Sequence, residues 1–407
     1  VAVAPELSRA GAPNATLLLD ALSWSPQAPF EADGTLTLSN WRNQNASIAA
    51  DELGVSMIVR RDGTGQVEAR GPVRITGPLG DGQVRDLTAQ LDLAAHWGQG
   101  WRVAPTRPCL PMRLGGLDAA GLSFQAGRFE LCALDGALIS ADARGRLGGG
   151  FAVQALNLSG RMAGPDGQPA RLGAQRVTGR FGGMGGDVRL TMEAQAPTLN
   201  IVLSEARTLS LVMARLTAEA SIDQSWRVQG RFERGGLSDP ALPGVVSAIA
   251  GRWSAAPEQG RPVIRVLAAQ ALLQANRPAR HAARLPFNPI ELVGVDATLR
   301  EGRIDAEGAV LLDAGDQRLA RFTARHDVSE GAGRADIDAP DIMFGESLQP
   351  YHVSEHARGV VDNVRGPASA QASVSWTREQ ISTAAFVRLK GVSLASATIP
   401  VIENVRG

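Results

Sequence analysis

Apolar and polar residues alternate without a break in Val188-Arg189-Leu190-Thr191-Met192-Glu193-Ala194-Gln195-Ala196, where every second residue is apolar and every residue between is polar or charged. Successive side chains on a β-strand point to opposite faces, so this stretch predicts a strand with one apolar and one hydrated face. The same alternation recurs in residues 198–203, 293–299 and 320–328. Many such strands in series predict a sheet with a continuous apolar side.

Turn signals between these stretches indicate an all-β protein. The 46 glycines are spread along the chain as single turn residues, as in Asp62-Gly63, Asp81-Gly82 and Asp135-Gly136. About twenty strands at ~4.8 Å each would extend roughly 100 Å, and a sheet of that length must curl or be covered. We therefore expect a long, curled, mostly antiparallel sheet with two or three short helices.

Two stretches predict the helices. In the first, Asp239 caps a helix with Pro240 in its first turn, and Leu242, Val245, Val246 and Ile249 form the apolar stripe. The second runs from 347 to 358 and stops at Gly359, a suitable left-handed terminator.

The domain organisation follows from the absence of a linker-like stretch in 407 residues. We expect one continuous β segment, with strand repeats over 1–338 and a short helix followed by further strands over 339–407. The chain opens at Val1 without a start Met, and residues 399–407 resemble the middle of a strand pattern. These features favour a piece of a longer protein.

Composition argues against several classes of function. The 41 Lys and Arg residues balance 41 Asp and Glu residues without a clustered basic stripe, which disfavours nucleic-acid binding. Residues 148–150 and 182–186 are glycine-rich, but no Lys-Ser/Thr pair follows them, so they predict turns rather than phosphate loops. We expect no enzymatic activity and no cofactor. Aromatic residues make up only 4% of the chain, so the apolar side is mainly aliphatic.

One motif still suggests a metal site. His352-Val353-Ser354-Glu355-His356 matches H-x-x-E-H, in which two histidines on one helix face bind zinc. That class needs a further acidic ligand downstream, and Glu379 and Glu403 are the remaining Glu candidates. We take a hydrated helix face as the default interpretation and expect no metal.

Cys109 and Cys132 are the only cysteines. Two strand-like stretches separate them, so a meander would bring the sulfur atoms together. Two unrelated buried thiols fit the spacing equally well, and the spacing matches no common zinc pattern.

The last third of the chain has a characteristic order of segments. Between Leu292 and Trp376 it runs through Gly294-Val295-Asp296-Ala297-Thr298-Leu299, Phe322-Thr323-Ala324-Arg325-His326-Asp327, Gly331-Ala332-Gly333-Arg334-Ala335-Asp336-Ile337, Ile342-Met343-Phe344-Gly345, Ser347-Leu348-Gln349-Pro350-Tyr351 and Gly366-Pro367-Ala368. This order resembles the YdbH branch of the AsmA-like superfamily, the TamB-related proteins of Gram-negative bacteria. Pro108-Cys109-Leu110 and Leu131-Cys132 also resemble a family feature, which implies a disulfide.

The resemblance implies a periplasmic protein anchored in the inner membrane by a segment outside this chain. It implies that the sheet curls into an elongated open groove (a β-taco) along which phospholipid acyl chains travel toward the outer membrane, with an outer-membrane lipoprotein or another envelope protein as partner. The residues expected to line the groove share the apolar face: Val188, Leu190, Met192, Leu199, Ile201, Leu203, Val293, Val295, Leu299 and Phe322. The alternative is a structural or adhesive β-scaffold whose apolar face is a sealed core.

Overall fold

The computed structural model describes residues 14–43, 46–79, 82–119, 122–162, 167–184, 187–205, 207–222, 226–239, 244–275, 287–312, 315–328, 330–377, 379–395 and 402–407. In these residues the chain forms 25 strands, one turn of α-helix and one 3-10 turn, and the paired strands run antiparallel. The predicted all-β fold is confirmed. By its internal contacts the chain falls into two compact units: Val1–Thr198 with Thr217–Trp226 (unit 1), and Leu199–Leu216 with Arg227–Gly407 (unit 2).

The first twelve strands belong to unit 1. They are β1 Asn14–Ser23, β2 Phe30–Asn43, β3 Ala46–Val59, β4 Gly65–Leu79, β5 Gly82–Trp97, β6 Gly100–Pro105, β7 Cys109–Ala119, β8 Leu122–Ala133, β9 Ile139–Asp142, β10 Leu147–Met162, β11 Pro169–Met184 and β12 Asp187–Gln195. Their spatial order is β1-β2-β3-β4-β5-β7-β8-β10-β11-β12, and the short strands β6 and β9 pair with each other beside β5 and β10.

The remaining strands are β13 Thr198–Ser204, β14 Arg207–Val212, β15 Arg215–Ile222, β16 Trp226–Ser238, β17 Gly244–Glu258, β18 Arg261–Ala275, β19 Ile290–Arg300, β20 Arg303–Leu312, β21 Gly315–Asp327, β22 Ala332–Phe344, β23 Asp362–Trp376, β24 Ile381–Ala395 and β25 Ile402–Arg406. In unit 2, β14 pairs with β16, and β16 to β25 then follow one another as a meander.

The sheet of unit 2 curls strongly. Arg207, at the start of β14, donates from Nη1 to the carbonyl oxygen of Thr377, which follows β23, at 3.1 Å. Eight strand-to-strand steps separate β14 from β23, so a flat sheet would hold them roughly 40 Å apart. Twist and curvature within this unit must therefore bring the two strands back together.

Left-handed residues inside neighbouring strands show where the sheet of unit 2 bends. Arg234 in β16, Ala248 in β17 and Gly294 in β19 have φ values of 48°, 52° and 59°. The register of β16–β17, β17–β18 and β19–β20 shifts close to these residues. Such β-bulges bend a strand and increase its twist, so successive bulges produce curvature across the sheet.

The expected helix after Asp239 is wrong, since residues 244–258 form strand β17. The apolar spacing that suggested a helix comes from the bulge at Ala248. Leu237 pairs with Val246 and Gly235 pairs with Ile249, so a three-residue step in β17 spans a two-residue step in β16. The bulge therefore turns an i, i+3 spacing into one sheet face. Pro240 and Leu242 lie outside the described residues.

The second helix is much shorter than expected. An α-helical turn covers Pro350–Val353 and a 3-10 helix covers Glu355–Ala357, with the extended residue Ser354 between them. Gly359 has φ +80°, as expected of a left-handed terminator.

A disulfide joins Cys109 and Cys132, which lie directly opposite each other on β7 and β8. The chain just before β7 is held by Asp92, whose carboxylate accepts a hydrogen bond from Thr106 Oγ1 and lies 2.8 Å from Arg107 Nε. The Thr106 hydrogen bond, supported by a further bond from Arg70, lowers the pKa of Asp92 below its ordinary value. The disulfide between Cys109 and Cys132, which the family resemblance implies, is confirmed.

Candidate functional site

The candidate site is the apolar face of the sheet, which the strand register assembles into rows. In unit 1, directly paired residues of β1 to β5 form one such row: Leu22, Ala32, Met57, Val67 and Ala95. Two residues further along most of the strands, the next row repeats the pattern with Leu19, Gly34, Val55, Ala69 and Leu93. The apolar face thus stays in register across five strands, with a two-residue period in β2 to β5 and a three-residue step at a register shift in β1.

Unit 2 separates its two faces even more clearly. One row across β16 to β24 is apolar except for one histidine, and consists of Val228, Ala255, Ile264, Leu299, Ile304, His326, Gly333, Trp376 and Ile381. The adjacent row on the opposite face is polar throughout: Gln229, Ser254, Arg265, Thr298, Asp305, Arg325, Arg334, Ser375 and Ser382. A single sheet therefore carries an aliphatic and a hydrated side.

Burial of the apolar face is uneven. In the described part of the chain, 15 of the 32 buried apolar residues are alanines, and the least exposed of the larger side chains are Val392 at 0% and Leu110, Phe124 and Leu348 at 2%. Compact clusters exist around Leu110 and Phe124 in unit 1 and around Leu348 in unit 2. Elsewhere, large residues such as Ile264 and Ile304 are only half-buried. The aliphatic face is therefore covered in places and accessible between them.

The residues predicted to line a groove mostly lie in this accessible part. Val188, Leu190, Leu199, Ile201, Leu203, Val293, Val295, Leu299 and Phe322 are half-buried, and Met192 is 38% exposed. Val188, Leu190 and Met192 share one face of β12, where Leu190 lies opposite Phe181. In unit 2, Val295 and Phe322 both approach Gly308.

Val293 differs from the expectation, because it lies on the opposite face from Leu299. It pairs with Ala309, whereas Leu299 pairs with Ile304, and these two β20 residues are an odd number of positions apart. The β-bulge at Gly294, where φ is +59°, reverses the alternation between them. Leu292, which pairs with Val310, takes the place of Val293 on the apolar face.

Aromatic rings lie across glycines on the apolar face, a feature that the sequence reasoning missed. The ring of Phe322 fills the space beside its cross-strand partner Gly308, where an added Cβ would fall 2.7 Å from Cε1. The same pairing joins other directly opposed residues: Trp97 with Gly65, Phe151 with Gly179, Phe181 with Gly149, Phe232 with Gly251 and Trp376 with Gly333. Glycines at apolar positions of alternating strands are the sequence signal for it.

The hydrated face carries exposed ion pairs. Arg325 Nε lies 3.3 Å from Asp305, and Arg334 Nη2 lies 2.7 Å from Asp336. The hydrogen bond from Arg334 lowers the pKa of Asp336 below its ordinary value. Exposed pairs of this kind stabilise a protein by at most about 1 kcal/mol, so this face has the properties of ordinary surface.

The histidines of the H-x-x-E-H motif are not on one helix face. His352 lies in the α-helical turn, one residue before its end at Val353, whereas His356 lies in the 3-10 helix beyond the extended Ser354. His352 Nδ1 accepts a hydrogen bond from the backbone N–H of Gln349 at 3.2 Å. Within the described ranges, no three His, Cys, Asp or Glu side chains are grouped as metal ligands.

In the part of the chain that the structure describes, no helix has the length and apolar character needed to cross a membrane. Comparison with known proteins finds no matching family model, no similar curated protein and no similar solved structure.

Proposed function

We propose that this protein binds phospholipid acyl chains along the apolar face of its sheet and conducts them between the inner and outer membranes of a bacterial envelope. The observation that supports the proposal is the set of mainly apolar rows, most of whose residues are half-buried, which extend over five paired strands in unit 1 and nine in unit 2.

The energetics of such a surface suit lipid tails. Removing a methylene group from water contributes about 0.8 kcal/mol, so an acyl chain gains stability over its whole length without a specific pocket. A row of aliphatic side chains offers this gain at every strand, so a chain can slide without crossing a large barrier. The polar opposite face keeps the sheet hydrated while the apolar face holds cargo.

The resemblance of residues 292–376 to the YdbH branch of the AsmA-like superfamily is the second ground for the proposal. It implies a location in the periplasm, with an inner-membrane anchor outside this segment. An outer-membrane lipoprotein or another envelope protein is the proposed receiving partner. No catalytic step and no cofactor belong to this function.

The test is the lipid content of the purified protein. Lipids are extracted from protein prepared from envelope fractions without detergent exchange and are identified by mass spectrometry. We expect phospholipid in at least equimolar amount, and a Leu190→Glu variant that folds normally but carries less. A protein free of lipid would support the scaffold alternative, in which Leu190→Glu instead unfolds a sealed core.

A further inference from the structure

A short segment of unit 2 covers one part of the apolar face. It comprises residues 345–361, called here the cap segment, and contains the α-helical turn and the 3-10 helix between β22 and β23. Gly345 lies at its start, and Gly359, with φ +80°, lies near its end. Side chains added at either glycine would meet no other atom within 4 Å.

The cap segment packs its apolar side chains onto the sheet. Leu348 is 2% exposed and belongs to a cluster with Val310, Leu312, Ala320, Ala339, Ile342 and Ala368. Val353 packs against the same cluster, as do Phe322 and Ile337 from the neighbouring half-buried face. The aliphatic surface proposed to hold acyl chains therefore continues beneath the cap segment, where the protein's own side chains occupy it.

Polar side chains hold the cap segment at two points. The Gln349 amide donates to the carbonyl oxygen of Val364 at 2.9 Å and accepts from the Val364 N–H at 2.9 Å, as a paired strand would. Asn288 Nδ2 donates to the carbonyl oxygens of Tyr351 and His352 at 2.9 and 3.0 Å.

The cap segment has little regular secondary structure that could stabilise it independently of the sheet. Its helical turns span four and three residues, and helices of this length are unstable in isolation. Its position therefore depends on the Leu348 and Val353 contacts and on the bonds to Gln349 and Asn288.

From these contacts we infer that the cap segment is a displaceable stop for the groove. An acyl chain advancing along the face from Phe322 and Ile337 competes with Leu348 and Val353 for the surface of Val310, Leu312 and Ala320. Binding of the chain releases the cap segment, which turns about Gly345 and Gly359. This inference rests on the proposed function and concerns the regulation of the same apolar face.

The test is hydrogen exchange of the wild-type protein with and without lipid. The protein is incubated with vesicles of phosphatidylethanolamine and phosphatidylglycerol, and bound lipid is measured by mass spectrometry in the same samples. Lipid loading should speed amide exchange in residues 345–357 by about tenfold, because release of the cap segment breaks its hydrogen bonds. Peptides from β3 and β4 should not speed up.

A variant that weakens the attachment of the cap segment provides a second test. Asn288→Ala removes the bonds to Tyr351 and His352 and should raise both the exchange of the cap segment and the amount of lipid bound. Glu346→Ala is the matched control within the same segment. The Glu346 side chain is 95% exposed, and its ion pair with Arg365, at 3.9 Å, is solvent-exposed and contributes little to stability. This variant should change neither the exchange of the cap segment nor the amount of bound lipid.

The possible outcomes distinguish a failure of the displaceable stop from a failure of the proposed lipid binding. Bound lipid with unchanged exchange in residues 345–357 overturns the stop and leaves the groove intact. Faster exchange in Asn288→Ala with unchanged lipid binding also overturns it. A wild-type protein that takes up no lipid contradicts both.

Discussion

Trp376 Nε1 donates a hydrogen bond to His326 Nδ1 at 3.1 Å, reaching across the strand that separates them. The residue between them is Gly333, which is paired with both and over which the indole ring lies. The bond requires an unprotonated Nδ1 on His326. Burial of the imidazole lowers the pKa of His326 below its ordinary value, which favours this neutral form. A polar pair is thus built into the apolar row of unit 2.

The His326–Trp376 pair predicts a pH-dependent stability. Because the pKa of His326 is lower in the folded than in the unfolded protein, the unfolded chain takes up the proton first as the pH falls. Protonation of His326 should leave the free energy of unfolding unchanged well above pH ~6.5 and should lower it below that pH. Urea midpoints of the wild type and His326→Gln measure this contribution. Equal losses of stability in both proteins between pH ~7.5 and ~5.5 would show that His326 is not responsible.

The ring-over-glycine contacts predict opposite tolerance at two adjacent glycines. A Cβ at Gly149 would overlap the carbonyl oxygen of Leu138 and the ring of Phe181, so Gly149→Ala should lower the free energy of unfolding by about 1–3 kcal/mol. A Cβ at Gly148 would meet its first neighbouring atom, the Phe181 oxygen, at 3.9 Å. Gly148→Ala should stay within about 0.5 kcal/mol of the wild type. Chemical denaturation measures both, and equal effects would contradict the ring placement.

The ion pair between Arg207 and Asp239 predicts a strong dependence of unit 2 on both partners. The side chains are 11% and 3% exposed, and Arg207 Nη2 lies 2.5 Å from Asp239 Oδ2. Asp239→Ala should destabilise the protein by about 3–5 kcal/mol, because it leaves the guanidinium charge buried. The double variant Arg207→Met, Asp239→Leu should recover most of that loss in urea unfolding. If Asp239→Ala has nearly the stability of the wild type, the Arg207–Asp239 pair does not stabilise unit 2.

The fold class was predictable because the hydrophobic period is a local property. The alternation of Val188 to Ala196 predicts strand β12, which the structure places at Asp187–Gln195. Asp62-Gly63 and Asp135-Gly136 indicated turns, and the structure has turns there, with φ values of 80° and 78° at the two glycines. Each of these signals depends on a few neighbouring residues.

Bulges limited the prediction of the candidate site. A left-handed residue reverses the faces that follow it, and non-glycine examples such as Ala248 carry no sequence signal. The bulge at Ala248 made a strand resemble a helix, and the bulge at Gly294 placed Val293 on the wrong face. The positions of the rings over glycines and of the cap segment depend on residues distant in sequence, which local patterns do not determine.

The proposed binding of lipid tails is best tested by photo-crosslinking at two adjacent residues of β12. Leu190 is half-buried on the apolar face, and Arg189 is exposed on the hydrated face. A photo-reactive residue at Leu190 should capture phospholipid in intact cells, as should one at Leu203, whereas the same residue at Arg189 should not. Equal capture at Leu190 and Arg189, or no capture at Leu190, would contradict the account that lipid tails occupy the apolar face.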